Sequence, residues 1–78
     1  MDRLRVKVKL YEGYKAAERP VEFQLEDQVF VVRTVLDRWF GTDAAYFKLK
    51  ADDGNVYILK HSLVGEWTLE SFRKEDVH

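Results

Sequence analysis

The chain has 78 residues, 46% of them hydrophobic and 14% aromatic, and its 13 Lys and Arg residues against 14 Asp and Glu residues leave a net charge of −1. This length allows a single domain spanning residues 1–78, the apolar content excludes a disordered chain, and the charge balance gives no bulk attraction to nucleic acid. Cysteine is absent from the sequence, which excludes disulfides, thiolate metal sites and cysteine nucleophiles.

The first predicted element is a strand with one apolar and one cationic face. Apolar residues alternate with cations over residues 3–10, and a period of two is typical of a strand that covers a core with one face. A connection over residues 11–20 follows, in which Ala16 and Ala17 favour a single helical turn. In chain order the alternating residues are Arg3, Leu4, Arg5, Val6, Lys7, Val8, Lys9 and Leu10.

Pro20 begins the second predicted strand, because the first residue of a strand needs no N–H partner. This strand runs to Leu25, and residues 26–28 form a turn. The third strand is the longest and has apolar residues on both faces, which is typical of a central or strongly bent strand. Beyond Thr34 the pattern changes phase, and a bulge near Thr34 or a helical turn over residues 35–39 explains the change equally well.

The second half of the chain is divided by its glycines. Residues 41–43 form a turn that favours one helical turn through residues 44–45, and a strand then covers residues 46–51. Asp52-Asp53-Gly54 is the strongest hairpin signal in the chain.

Two registers compete for this hairpin. A two-residue turn places Phe47 opposite Lys60, whereas a three-residue turn with Gly54 in the left-handed conformation places Phe47 opposite Leu59. We favour the second, because it keeps apolar residues opposite each other. In the last predicted strand Trp67, Leu69 and Phe72 face inwards, and residues 73–78 form a frayed tail.

Together these elements predict an all-β fold. We expect a small, curved antiparallel meander or partly open barrel of five or six strands, with at most one or two helical turns. The predicted core consists of the inward-facing apolar residues Val6, Val8, Leu10, Phe23, Leu25, Phe30, Val32, Leu36, Trp39, Phe47, Leu49, Tyr57, Leu59, Trp67 and Leu69.

The residues that carry chemistry predict no enzyme. The two histidines, His61 and His78, are seventeen residues apart in the sequence, which does not suit a zinc site. Neither Ser62 nor Ser71 lies in the glycine context of a nucleophile elbow, and the glycines are too far apart for a phosphate loop. We therefore expect no catalytic residue, no metal and no cofactor.

The cationic face of the first strand allows two interpretations. It is either a solvated face that pairs across strands with glutamates, with its lysines protecting a sheet edge, or a stripe that follows a phosphate backbone. The sequence favours the first interpretation, and the flanking strands decide between them. Aromatic residues in or beside the connections, Tyr11, Tyr14, Phe40 and Tyr46, either close the ends of the barrel or form a binding patch.

Several segments also resemble a known family. These are residues 11–23, 35–39, 46–54 and 57–61, which include the patterns Tyr-Glu-Gly-Tyr, Glu-Arg-Pro-Val-Glu-Phe and Val-Leu-Asp-Arg-Trp. They are similar to a family of small, uncharacterised bacterial cytoplasmic proteins that form a domain of unknown function. A more distant group with a related pattern is sometimes encoded near translesion-synthesis genes. The resemblance implies a bacterial origin, a single domain and no assigned activity.

From these observations we predict a non-catalytic interaction module of the bacterial cytoplasm that binds another protein, with no membrane segment. The alternative is a small nucleic-acid-binding barrel, for which the resemblance implies a link to DNA repair. The predicted protein-binding residues are Tyr11, Tyr14, Arg19, Trp39 and Phe40. The residues of the alternative are Arg3, Arg5, Lys7, Lys9 and Tyr46.

Overall fold

A computed structural model of the chain describes residues 4–11 and 19–74. These residues form one antiparallel sheet of six strands in chain order, which curls into a half-barrel, so the predicted all-β fold is confirmed. The strands are β1 (Val6–Leu10), β2 (Pro20–Leu25), β3 (Gln28–Phe40), β4 (Ala44–Ala51), β5 (Val56–Ser62) and β6 (Trp67–Arg73).

The long strand β3 belongs to two parts of the sheet. Its first residues pair with β2 as far as Val31, and from Val32 onwards it pairs with β4. Its register shifts between Val32 and Thr34 and again between Val35 and Asp37. Such irregularities bend a strand and increase its twist. Of the two explanations that the sequence left open, the bulge near Thr34 is therefore the right one.

Both helical turns expected near β3 and β4 are wrong. Residues 35–39 remain extended because their backbone pairs with β4, and β4 already begins at Ala44. The turn predicted at Ala16 and Ala17 lies outside the described residues, as do residues 75–78 of the predicted tail. Arg73 is the last residue of β6.

The two outer strands of the sheet approach each other and partly close the barrel. Arg5 forms a β-bridge with Thr68, and the Leu69 N–H donates to the Leu4 carbonyl oxygen over 2.9 Å. Val6 is buried beside this contact. The curl therefore gives the sheet an inner face, where the core lies, and an outer face.

The β4–β5 hairpin has the register that the sequence favours. Phe47 pairs with Leu59 and Leu49 with Tyr57, and Gly54 has a φ of 85°. The Asp53 carboxylate fixes the turn, because it accepts hydrogen bonds from the backbone and side-chain N–H groups of Asn55 and from the Tyr57 hydroxyl, the last over 2.6 Å.

This arrangement shifts two pKa values. Burial opposes ionisation of the Asp53 carboxyl, but the hydrogen bonds from Tyr57 and Asn55 outweigh it and hold the pKa of Asp53 below its usual value. Burial and the hydrogen bond to Asp53 raise the pKa of the Tyr57 hydroxyl. The turn is thus stabilised by an ionised carboxylate.

One cluster of buried side chains fills the inner face, and Leu49 and Leu59 at its centre have 0% exposure. Partly buried residues such as Trp67 and Leu69 pack against it. The remaining fully buried members of the cluster come from four strands and are Val6, Phe23, Phe47, Ala51 and Tyr57.

Two residues predicted in the core are exposed, and the half-buried Leu10 is not among those that pack against the cluster. Leu36 is 47% exposed and Trp39 is 38% exposed. The second register shift of β3 leaves Leu36 without a partner on β4. It also pairs Trp39 with Tyr46, on the face opposite to buried Phe47. The core assignments in this part of β3 therefore fail at the second register shift, which the sequence did not predict.

We expect Leu49→Ala to lower the free energy of unfolding by about 2–5 kcal/mol, because it removes a fully buried side chain from a core that cannot fully collapse. Such a loss is a large part of the stability of a domain of this size. Urea unfolding followed by circular dichroism measures it. Leu63→Ala is the matched control: Leu63 is 81% exposed, so its loss should stay within about 0.5 kcal/mol. Equal losses of unfolding free energy in the two variants would show that Leu49 is not at the centre of the core.

The Asp53 turn predicts a pH dependence. Because the folded pKa of Asp53 is lowered, its contribution is present above the unfolded value of about 3.9 and is lost as the pH falls through the folded pKa. Tyr57→Phe removes one hydrogen bond to the carboxylate. The difference in unfolding free energy between the wild type and this variant should therefore shrink as the solution is acidified through that window. Tyr46→Phe, the control, should show no such change, and a pH-independent difference for Tyr57→Phe would contradict the assignment.

Candidate functional site

One end of the half-barrel exposes large apolar side chains. In an antiparallel meander alternate turns lie at the same end, so the β3–β4 turn is beside the β5–β6 turn, and the Leu63 N–H donates to the Asp43 carbonyl oxygen over 3.2 Å. Phe40, Leu63 and Val64 are 75%, 81% and 82% exposed. We call these three residues the apolar end. Its Phe40 was predicted from the sequence as a binding residue, whereas Leu63 and Val64 were not.

Trp39 and Tyr46 form an aromatic pair on the outer face, next to the apolar end. Their rings are stacked, with centroids 5.5 Å apart and planes 6° apart. Gly41 allows the chain to turn close to this pair, since a Cβ there would lie 3.2 Å from the Tyr46 ring. The sequence prediction assigned these two aromatic residues to different surfaces, and the structure brings them together.

Tyr11 and Arg19, two of the predicted binding residues, are in contact at the two described ends of the β1–β2 connection. The Tyr11 N–H donates to the Arg19 carbonyl oxygen over 2.8 Å, and the Arg19 guanidinium lies 4.2 Å from the centre of the Tyr11 ring. Both residues are exposed, as binding residues must be. Tyr14, predicted beside them, lies outside the described residues.

The same guanidinium borders a cavity of about 340 Å³ where β2 and β3 diverge. Val35 and Phe47 form its apolar wall, and Asp37 and Arg38 complete the lining. The Arg38 guanidinium lies 5.9 Å from the centre of the Phe47 ring. Arg19 therefore lies near the second half of β3, the part of the strand that leads to Trp39 and Phe40.

The cationic stripe of β1 is flanked by acidic and polar side chains. Lys9 pairs across strands with Glu22 and Lys7 with Gln24, and the Arg5 guanidinium lies 3.6 Å from the Glu66 carboxylate. These neighbours weaken its attraction for phosphate groups, in agreement with cross-strand pairing. Arg3, the fourth cation of the predicted stripe, lies outside the described residues.

A different set of cations was not predicted as a site. Lys48 and Lys50 alternate with buried residues of β4, and Lys60 lies opposite Tyr46 on β5. All three are on the outer face, and we call them the basic face. The alternation in the sequence places Lys48 and Lys50 opposite the core, but only the sheet pairing shows that Lys60 and the Trp39–Tyr46 pair lie beside them.

The described residues show no group of side chains typical of a metal site. No three His, Asp or Glu side chains of residues 4–11 and 19–74 form a group that would hold a metal ion. The perturbed pKa values described above, those of Asp53 and Tyr57, belong to the β4–β5 turn at the opposite end from Phe40. No membrane-spanning helix occurs in the part of the chain that the structure describes.

Comparison with protein-family models, with curated proteins and with solved structures gives no match for this chain. The family resemblance of the sequence therefore stays a prediction.

The positions of the two tryptophans predict unequal effects on stability. Trp67 packs on the core and against Phe47 and His61, at ring distances of 5.5 and 4.1 Å, whereas Trp39 lies on the outer face. We expect Trp39→Ala to lower the free energy of unfolding clearly less than Trp67→Ala, as measured by urea unfolding with circular dichroism. If Trp39→Ala lowered the free energy of unfolding as much as Trp67→Ala, Trp39 would have to be packed in the core.

Proposed function

We propose that this protein is a non-catalytic interaction module that binds another protein through the apolar end. The observation that carries the proposal is the exposure of Phe40, Leu63 and Val64, each at least 75% accessible to solvent. Adjacent exposed apolar side chains on a small domain are typical of an interaction site, because their burial against a partner is favourable.

The opposite end of the barrel supports this interpretation. Its turns contain Glu26 and Asp27 between β2 and β3, and Asp52 and Asp53 between β4 and β5. Two hairpins of the chain therefore have charged residues in their turns, and polar or charged residues are usual at such positions. Folding alone gives no reason for an apolar pair, Leu63 and Val64, in the β5–β6 turn. Contact with a partner gives one.

The surroundings of the apolar end suit a protein interface. Such interfaces combine an apolar centre with a polar rim, and Trp, Tyr and Arg often contribute most of the binding energy. Asp43 and Glu66 lie in or beside the two turns. Trp39 directly precedes Phe40 in the chain and lies on the outer face. The Tyr11–Arg19 pair follows the same end of β1. We include these side chains in the proposed rim.

The proposed setting is a bacterial cytoplasm, which rests on the resemblance of the sequence alone. The alternative assignment of the β1 stripe to nucleic acid is less favourable, because Glu22 and Glu66 flank its cations. The absence of an enzymatic activity is likewise part of the proposal.

The test replaces apolar surface without changing the core. Phe40→Ser with Val64→Ser should abolish binding to a partner that the wild type captures from its native cell extract, with the melting temperature unchanged. The partner is then purified, and its affinity for both proteins is measured by calorimetry. Loss of two central apolar contacts should weaken binding about 30-fold or more.

Val29→Ser with Val31→Ser is the matched control. These valines are also exposed, at 54% and 49%, but they lie on the outer face of β3, away from the apolar end. Retained binding by this control and lost binding by the test variant supports the proposal. Equal binding by all three proteins contradicts it. So does a dimer of the wild type that the Phe40 and Val64 changes dissociate, because the apolar end would then bind a second copy of this chain.

A further inference from the structure

We propose that the basic face, together with the Trp39–Tyr46 pair, binds a short single strand of nucleic acid. This site is distinct from the cationic stripe of β1 and does not require the apolar end. It combines the two features that a sequence-independent single-strand site needs, which are cations that follow the backbone and an aromatic ring on which a base stacks.

The sheet register arranges the site in rows. Trp39, Tyr46 and Lys60 are paired across three neighbouring strands, and Lys48 and Lys50 follow Tyr46 along β4 at intervals of two residues. Same-face residues of a strand lie about 7 Å apart. The aromatic pair is thus continuous with a line of ammonium groups along β4, and Lys60 lies beside the start of that line.

Among the direct cross-strand partners of the basic-face lysines, only Asp37 is acidic. Cross-strand partners of Lys50 are Thr34 and Val56, and those of Lys60 are Tyr46 and Thr68. Lys48 pairs with Asp37 and Ile58, and the Asp37 carboxylate also accepts a hydrogen bond from the Arg38 N–H over 2.8 Å.

No ion pair to Lys48, Lys50 or Lys60 is formed within the described ranges. This differs from β1, where the Arg5 guanidinium lies 3.6 Å from the Glu66 carboxylate. On a protein with a net charge of −1, three cations on one face that form no ion pair direct a polyanion to that face.

The aromatic pair supplies the stacking surface. Trp39 remains 38% exposed although its ring is stacked on Tyr46, so the pair is held in place while part of the indole faces solvent. An indole that is already fixed loses little conformational freedom when a base stacks on it. The fold does not need Trp39 in the core, and stacking gives a reason for a tryptophan at this position.

The β4–β5 turn limits the length of nucleic acid that the basic face can hold. Beyond Lys50 the β4–β5 turn presents Asp52 and Asp53, which repel phosphate groups. From the Trp39–Tyr46 row to Lys50 the face extends four residues along β4, or about 13 Å. We therefore infer a footprint of about four nucleotides, at the short end for single β-barrel modules.

Fluorescence anisotropy with a labelled oligothymidylate tests the proposal, using the full chain at about 50 mM salt. Three neutralised phosphates predict that the logarithm of the association constant falls with the logarithm of salt concentration with a slope of about −2. Oligouridylate and a DNA duplex serve as further probes, and we expect the single strands to bind more tightly than the duplex because only unpaired bases can stack on Trp39.

The decisive comparison uses two variants of equal charge change. Lys48→Gln with Lys60→Gln should weaken binding about 10-fold or more and reduce the salt slope to about −0.7. Lys7→Gln with Lys9→Gln removes the same charge from the outer face of β1 and should change the affinity less than about twofold. Trp39→Leu keeps an apolar side chain and should still weaken binding about 10-fold, because leucine cannot stack on a base.

Every result decides the question. No binding at low salt, preference for the duplex, or equal losses in the two double variants overturns the proposal. Amide chemical-shift changes in the wild type on addition of oligothymidylate give a readout that depends on no variant. Changes centred on β4 and β5 support the site, and changes centred on β1 refute it. A failure here leaves the protein-binding test of the apolar end unaffected.

Discussion

The bend in β3 is the constraint on which the rest of the structure depends. The strand starts as a partner of β2 and ends as a partner of β4, so its backbone must change direction between Val31 and Thr34. The two register shifts allow this without loss of the pairing on either side. A regular strand would leave the six strands in a flatter sheet, and β1 would not reach β6. The inner face would then have no opposite wall against which Leu49 and Leu59 are buried.

The same bend explains which parts of the fold were predictable. Alternation in β1 and the glycine of the β4–β5 turn are local signals, and they correctly gave strand type and the pairing of Leu49 with Tyr57. A bulge also leaves a local signal, a change of phase, but the sequence does not say how many register shifts follow one another. Because each shift exchanges the two faces of a strand, the second one turns Trp39 outwards, and the irregularity itself leaves Leu36 unpaired and exposed.

The candidate surfaces were less predictable, because they depend on contacts between distant parts of the chain. The cations of β1 are evident in the sequence, but the positions of Glu22 and Glu66 beside them follow from pairing with β2 and β6. The stacking of Trp39 on Tyr46 requires the register after the second shift. Leu63 and Val64 carried an available signal that was not used, since two apolar residues before a glycine are unusual in an exposed turn.

Trp39 and Phe40 show how two surfaces can coexist on so small a domain. They are consecutive residues at the end of β3, and alternation directs them to opposite faces of the sheet, so that Trp39 meets Tyr46 outside and Phe40 lies beyond the end of the core. Neither side chain is part of the buried cluster around Leu49. Changes at either position therefore alter a surface without removing core packing. A ligand on the basic face and a protein at the apolar end would approach from different directions. Trp39 belongs both to the proposed rim and to the stacking pair, so the two bindings would influence each other through this side chain.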